Sequence, residues 1–295
     1  DLYVFRGDAL TTEQVGANLR TSPQVIAYQQ QIIVPGRVYA DPTTEPLFGD
    51  QWHLRNTGQT GGLAGVDANV TGAWVQGFTG AGVNVGVIDE GVEFFHPDLA
   101  PNYNQAGTYD FVDNDTDPRP TSSLENHGVP VAGTIAAAVD GSCGVGVAYE
   151  SGFSVLRQGL TFSDATGANI VSYARDLNAI YNGSFSWGPL LTRGADFEPL
   201  LFAAIADNVQ NGRGGLGNIY VLAAGNSGTG GPDGLGENAN RTGYNSSRYT
   251  IAVAASTDLG VRNADSEFGT SVFVNAPSDG GIAGITTTDR LGGGG

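Results

Sequence analysis

Residues 83–99 read VNVGVIDEGVEFFHPDL. Val83, Val85, Val87 and Ile88 form a short apolar run rich in β-branched side chains, the pattern of a strand buried on both faces. The run stops at Asp89 and Glu90, and Gly91 permits a sharp exit from the strand. Ligands in an open α/β sheet collect at the carboxyl ends of its strands, where Asp89 is expected to lie. An acid in that place is also a common N-cap of the following helix, so its meaning depends on the rest of the chain.

Outward from this strand the pattern alternates. Helices are expected over Val70–Gly77, His127–Val139, Asp164–Ile180 and Phe197–Gln210. Strands are expected over Ser154–Arg157, Asn182–Trp187, Ile219–Ala224, Tyr249–Ala255 and Val272–Asn275. Such alternation predicts an α/β fold, a doubly wound and mainly parallel sheet with helices on both faces. Residues 1–40 read differently, with short strands at Leu2–Phe5 and Gln24–Val34 around a weakly helical patch at Thr12–Leu19. A Pro- and acid-rich linker follows into Trp52, so residues 1–40 are expected to form a separate N-terminal piece and residues 41–295 the main domain.

The 295 residues carry a formal charge of −17, with 30 acids against 13 bases. That balance argues against a nucleic-acid groove, which needs a basic face, and suits acidic cation sites. No run approaches the ~20 apolar residues of a membrane span. The one cysteine, Cys143, has no internal partner for a disulfide.

Three polar residues follow strand or helix signals at one expected edge of the sheet: Asp89 after VGVI, His127 opening NHGVPVAGTIAA, and Asn226 closing YVLAAGN. Asp89 and His127, 38 residues apart, suit an orienting carboxylate and a general base. A side-chain amide after a buried strand suits an oxyanion donor.

VGVIDEGVEFFHPDL, NHGVPVAGTIAA, SWGP and VLAAGNSG resemble the Asp, His, substrate-strand and oxyanion motifs of the subtilases. DPTTEPLFGDQWHL, CGVGVAY, QNGRGGLGNIYVLAAGN and TGYNSSRYTIAV resemble the kexin/furin-like branch, so that the likeness spans about residues 40–290. The resemblance implies a subtilisin-like fold and a serine endopeptidase acting on polypeptides outside the cell or at its surface. It casts Asp89 as orienting residue, His127 as general base and acid, and Asn226 as oxyanion donor. Ser186, Trp187 and Gly188 would line the substrate strand, and Glu90 matches an acid of an adjacent subsite. Acids that select basic residues in such enzymes are replaced by Leu191 and Thr242, so a basic preference does not carry over.

The nucleophile does not follow the obvious motif. Gly269-Thr-Ser271 is the only GTS, but Ser271 precedes VFVNAP, an alternating strand pattern, whereas the family's serine opens a helix of small residues later in the order. The catalytic serine is therefore expected beyond Gly295, with the peptidase domain incomplete at its C-terminus. A second reading, a non-catalytic binding module on the same fold, rests on that missing serine and on Val129, where the family usually has Thr.

Clustered acids imply calcium, since carboxylates crowded together repel unless a hard cation sits among them. The loop YDFVDNDTDP is not an EF-hand, because counted from Asp113 its sixth and twelfth positions are Pro118 and Leu124. The resemblance assigns Asp110, Asp115 and Asp117 to one calcium site. It assigns Glu45, Asp98 and Asp140, with carbonyls near Ala138, Ser142 and Gly144, to a second, and Asp233 and Glu267 to part of a third. It also implies that residues 1–40 are an N-terminal propeptide that folds against the enzyme, an integral subdomain being the alternative. Gly212–Gly217 spells GxGxxG but precedes a strand, which argues against a dinucleotide site. The sequons at Asn69 and Asn245 are candidate glycosylation points.

Overall fold

The computed structural model describes residues 41–159, 163–184, 198–229 and 237–292, with Asn18, Leu19 and Pro23. The chain divides into two compact units, Asp1–Tyr39 and Ala40–Gly295. The strands expected within the first unit lie outside the described residues; of its helical patch, Asn18 and Leu19 are described and are helical.

In the second unit the VNVGVID run forms β1, Asn84–Asp89, with all six residues buried. It is joined by β2 (Tyr109–Asp110), β3 (Gly152–Arg157), β4 (Ile180–Gly183), β5 (Ile219–Ala223), β6 (Thr250–Ser256) and β7 (Val272–Pro277). These make a seven-stranded sheet in the order β2-β3-β1-β4-β5-β6-β7, with each neighbouring pair parallel. The helices are α1 (Val70–Val75), α2 (Gly128–Ala136), α3 (Asp164–Ser172) and α4 (Pro199–Gly215).

Successive side chains of β1 point to opposite faces, and both faces are covered. Val87 packs with Val129 and Ala132 of α2, while Ile88 packs with Ile170 of α3 and Leu201 of α4. Two-sided burial is why the strand reads as a continuous apolar run. Small residues on α2 allow close approach: a Cβ on Gly133 would lie 2.6 Å from the Cβ of Thr288. Among the described residues no helix is long and apolar enough to cross a membrane.

The helix expected over Asp164–Ile180 ends at Ser172. Tyr173 leaves helical geometry, and its carbonyl accepts from the Tyr181 hydroxyl at 2.7 Å and from Asn178 Nδ2 at 3.2 Å. Buried partners thus satisfy a carbonyl that the next helical turn would have used, and Ile180 is free to pair with Val85. The strand expected over Asn182–Trp187 accordingly starts earlier, at Ile180; its last three expected residues lie outside the described ones. The GxGxxG run closes α4, with the Gly217 amide donating to the Gly212 carbonyl. The two-residue strand β2 has no periodicity to announce it. Asn245 is buried, its amide donating to the carbonyls of Ala223 and Ala224, which makes it a poor glycan acceptor in the folded chain.

His53 is buried with neither ring nitrogen hydrogen-bonded, and burial pushes it down from 6.5 to about 4. The unfolded chain takes up this proton first, so stability falls as pH drops from 6.5 towards about 4, by a total on the order of 3 kcal/mol. His53→Leu is expected to melt less steeply over that interval than the parent. Parallel melting curves against pH would show the idea to be wrong.

Candidate active site

Asp89 closes β1 and is buried. Gly91, at φ 134°, turns the chain away in a conformation that side chains rarely adopt. His127 is the N-cap of α2, and the residue after it must be glycine: a Cβ on Gly128 would sit 2.2 Å from the Gly91 carbonyl oxygen and 3.3 Å from the Asp89 Cβ. That close approach sets the start of α2 against the end of β1.

Nδ1 of His127 lies 3.1 and 3.0 Å from the two carboxylate oxygens of Asp89. A carboxylate only accepts, so Nδ1 carries the proton in this contact and the neutral ring keeps its lone pair on Nε2. The imidazole side chain is 54% exposed, whereas Asp89 is enclosed. Glu90 Oε1 accepts from the His127 backbone N–H at 2.8 Å, and Asp89 Oδ1 accepts from the Glu90 N–H at 2.9 Å. The Asp89 hydrogen bond raises His127 above its ordinary pKa, and the charges of Asp89 and Glu90 add to this against the opposing effect of burial.

Asn226 is exposed in the turn after β5, at the same sheet end as Asp89 and two strands across. The backbone beside it is seated on Glu267, since a Cβ on Gly225 would lie 2.3 Å from Glu267 Oε1. Glu267 is buried, and its carboxyl is pushed up by that burial and by the nearby charge of Glu237. Ser271 stands apart: its N–H donates to Asn240 Oδ1, and it precedes β7, four strands from β1 or about 19 Å. Val129 is fully buried in the apolar cluster under β1, so its replacement of a threonine matches its surroundings. Ser186, Trp187, Gly188, Leu191 and Asp233 lie outside the described residues.

The acidic clusters differ in how their charge is answered. In the loop after β2, Asp110 Oδ2 accepts from Arg157 Nη1 at 2.6 Å, and Asp117 accepts from Arg119 Nε at 2.7 Å. Asp115 Oδ1 takes the Asp117 N–H at 2.8 Å. Around α2, among the described residues, no arginine or lysine plays that part, although His96 lies beside Asp98. Glu45 accepts from the Gly141 N–H at 3.0 Å, and Asp140 Oδ1 accepts from the Ser142 N–H at 2.9 Å. Asp98 is fully buried; its Oδ2 accepts from the Thr288 hydroxyl at 3.2 Å, while its Oδ1 has no partner. Burial pushes the carboxyls of both Asp98 and Glu45 up and the charge of Asp140 adds to it, against the opposing charge of His96 and the Cys143 thiol at Asp98. Among the described residues no group of three such side chains is closed into a metal cage.

Arg157, Glu125 and Arg290 surround this site, and sequence reasoning did not single them out. The available signal was an arginine ending the apolar strand GFSVLR, level with Asp89 in the sheet.

A model of the subtilase family matches residues 80–288, and the chain belongs to that family. It is 40% identical over 261 residues to human neuroendocrine convertase 2, a match covering 84% of this chain and 40% of that protein. The chain thus spans about two fifths of the length of the curated relatives it matches. The fold is similar to that of the serine protease of Aeromonas sobria, with a TM-score of 0.73 and 27% identity over 88% of this chain and 48% of that one. The same protease in complex with its chaperone gives a TM-score of 0.72 and 29% identity, covering 81% of this chain and 43% of that one. The kexin-like branch and the subtilisin-like parallel α/β fold expected from the motifs agree with these relatives.

The contact with Asp89 favours protonated His127. Its contribution to stability is full below pH 6.5 and is lost as pH climbs through the raised value, the interval in which the neutral base appears. In Asp89→Asn the imidazole is expected to titrate lower than in the parent. Nitrogen-15 NMR titration of the ring checks this, and an unchanged midpoint would mean that the carboxylate does not govern the base.

Proposed function

We propose that the protein containing this chain is a serine endopeptidase in which Asp89 and His127 are two members of a catalytic triad. The observation that carries the reading is the 3.0 Å contact between the half-exposed His127 side chain, through Nδ1, and an enclosed Asp89 carboxylate. Asp89 fixes the tautomer, and Nε2 takes the proton of the attacking serine and later returns it to the departing amine. The imidazolium formed between those steps is stabilised by Asp89. The Asn226 amide donates to the oxyanion of the tetrahedral intermediate. In this reading the serine comes from sequence beyond the 295 residues, because Ser271 is four strands away.

The substrate is a polypeptide, laid along Ser186-Trp187-Gly188 with Glu90 at the neighbouring subsite. Residues 1–40 act as its propeptide, removed before the enzyme works outside the cell or at its surface. The test is expression of the full-length gene. A serine-directed phosphonate is expected to label a residue after Gly295, and N-terminal sequencing of the mature enzyme to start between Val38 and Asp50. His127→Ala should cost on the order of 10⁶-fold in turnover, and Asn226→Ala about 10²–10³-fold, the losses known for the matching residues of subtilisin, a member of this family. Labelling at Ser271 would contradict the assignment, and an unlabelled, inactive full-length protein would favour the binding-module reading.

The reading includes calcium. The unpartnered Oδ1 of buried Asp98, beside Glu45 and Asp140, fits a hard cation that prefers oxygen donors. There the ion would neutralise three acids and tie residues around Glu45 to the turn after α2. The loop of Asp110, Asp115 and Asp117 is a second place for calcium, and Asp233 with Glu267 a third. Metal bound only by the folded chain stabilises it by linkage, so chelator is expected to lower the melting temperature and calcium to restore it. Asp98→Asn should remove most of that response. A melting curve indifferent to chelator would leave the acids without a metal.

A further inference from the structure

The end of β1 and the loop leading to His127 are held by a common side chain. Arg157 closes β3, pairs in register with Asp89 and is 1% exposed. All five of its N–H donors are used. Nε donates to the Glu90 carbonyl at 3.1 Å. Nη1 donates to Asp110 Oδ2 at 2.6 Å and to Asp113 Oδ2 at 2.9 Å. Nη2 donates to Thr121 Oγ1 at 2.9 Å and to Glu125 Oε1 at 3.1 Å.

Two of these contacts bear directly on the Asp89–His127 pair. Glu90 follows Asp89, and its carboxylate accepts the His127 N–H. Glu125 lies two residues before His127, and its Oε2 also accepts from the Thr121 and Ser122 N–H groups, which closes the loop into a turn. Arg290 grips the same loop from another side, donating to the Ser122 carbonyl at 2.9 Å and to Glu93 at 3.0 Å. The planar fork of arginine can satisfy acceptors on three segments at once, which a lysine cannot.

We infer that Arg157 is a positioning residue for the Asp89–His127 pair, setting their separation by fixing the Glu90 backbone and the Glu125 loop to one buried guanidinium. It touches no reacting atom. The inference rests on the endopeptidase reading for the purpose of the pair, but its test reads the pair itself and needs no turnover.

Two carboxylates on the same guanidinium separate positioning from bulk charge and from stability. Glu125→Gln removes a charge from the loop that leads to His127, whereas Asp113→Asn removes the same charge from the exposed acidic loop. The 295-residue chain is titrated by nitrogen-15 NMR, with melting temperature recorded alongside. In Glu125→Gln the His127 midpoint is expected to fall towards 6.5 and the low-field Nδ1 proton to broaden or vanish, while Asp113→Asn leaves both near the parent values. Arg157→Lys, which keeps the charge but loses the fork, should behave like Glu125→Gln where it folds. Equal shifts in the two carboxylate variants, or lower melting temperatures with the His127 midpoint unmoved, would overturn the inference. A parent chain whose His127 titrates at its ordinary value would instead count against the catalytic pair.

Discussion

β1 is bonded along both edges, to β3 on one side and β4 on the other, and the chain crosses from one side of it to the other. A strand held this way cannot slip by one residue without turning Val87 and Ile88 into the wrong cores, which fixes where Asp89 emerges. It also makes the carboxyl end of β1 the point where strand order reverses, the place an open α/β sheet offers for a site. His127 reaches that point from α2, and the clearance at Gly128 decides how near it comes.

Much of this was legible in the residues. The run ending at Asp89 and the small residues after His127 report on their own local environments: two-sided burial in one case, close backbone approach in the other. Features that depend on distant partners were not legible in the same way. The helix stop at Ser172 is made by Tyr181 and Asn178, side chains that look helical or neutral when read along the sequence. The arginine that binds Asp110 could not be found from the acidic loop itself, because it lies 47 residues further on. Val129 looked like a departure from a catalytic pattern, yet in place it is one more apolar side chain beneath the sheet.

An acidic chain that folds must bury some of its acids, and this one does so in two ways. Around Arg157 the carboxylates meet a cation with every donor engaged, and loss of the guanidinium would leave the fully buried Asp110 without its charge partner. Around Asp98 the acids meet backbone amides, the Thr288 hydroxyl, His96 and one another, and one oxygen has no hydrogen-bond partner. The first arrangement is complete within the protein. The second leaves Asp98 Oδ1 without a hydrogen-bond partner, and burial there favours the protonated acid.

Among the described residues β7 is the outermost strand on its side of the sheet, with Phe273 81% exposed and Val274 beside it. Unpaired backbone groups next to an exposed apolar side chain form a template on which another strand can add. What opposes such growth is colloidal: a net charge of −17 keeps copies apart at neutral pH. That protection weakens with added salt and disappears near pH 4.2, where the sequence is isoelectric. Repulsion between copies is therefore strongest in dilute neutral buffer and weakest near the isoelectric point or in concentrated salt.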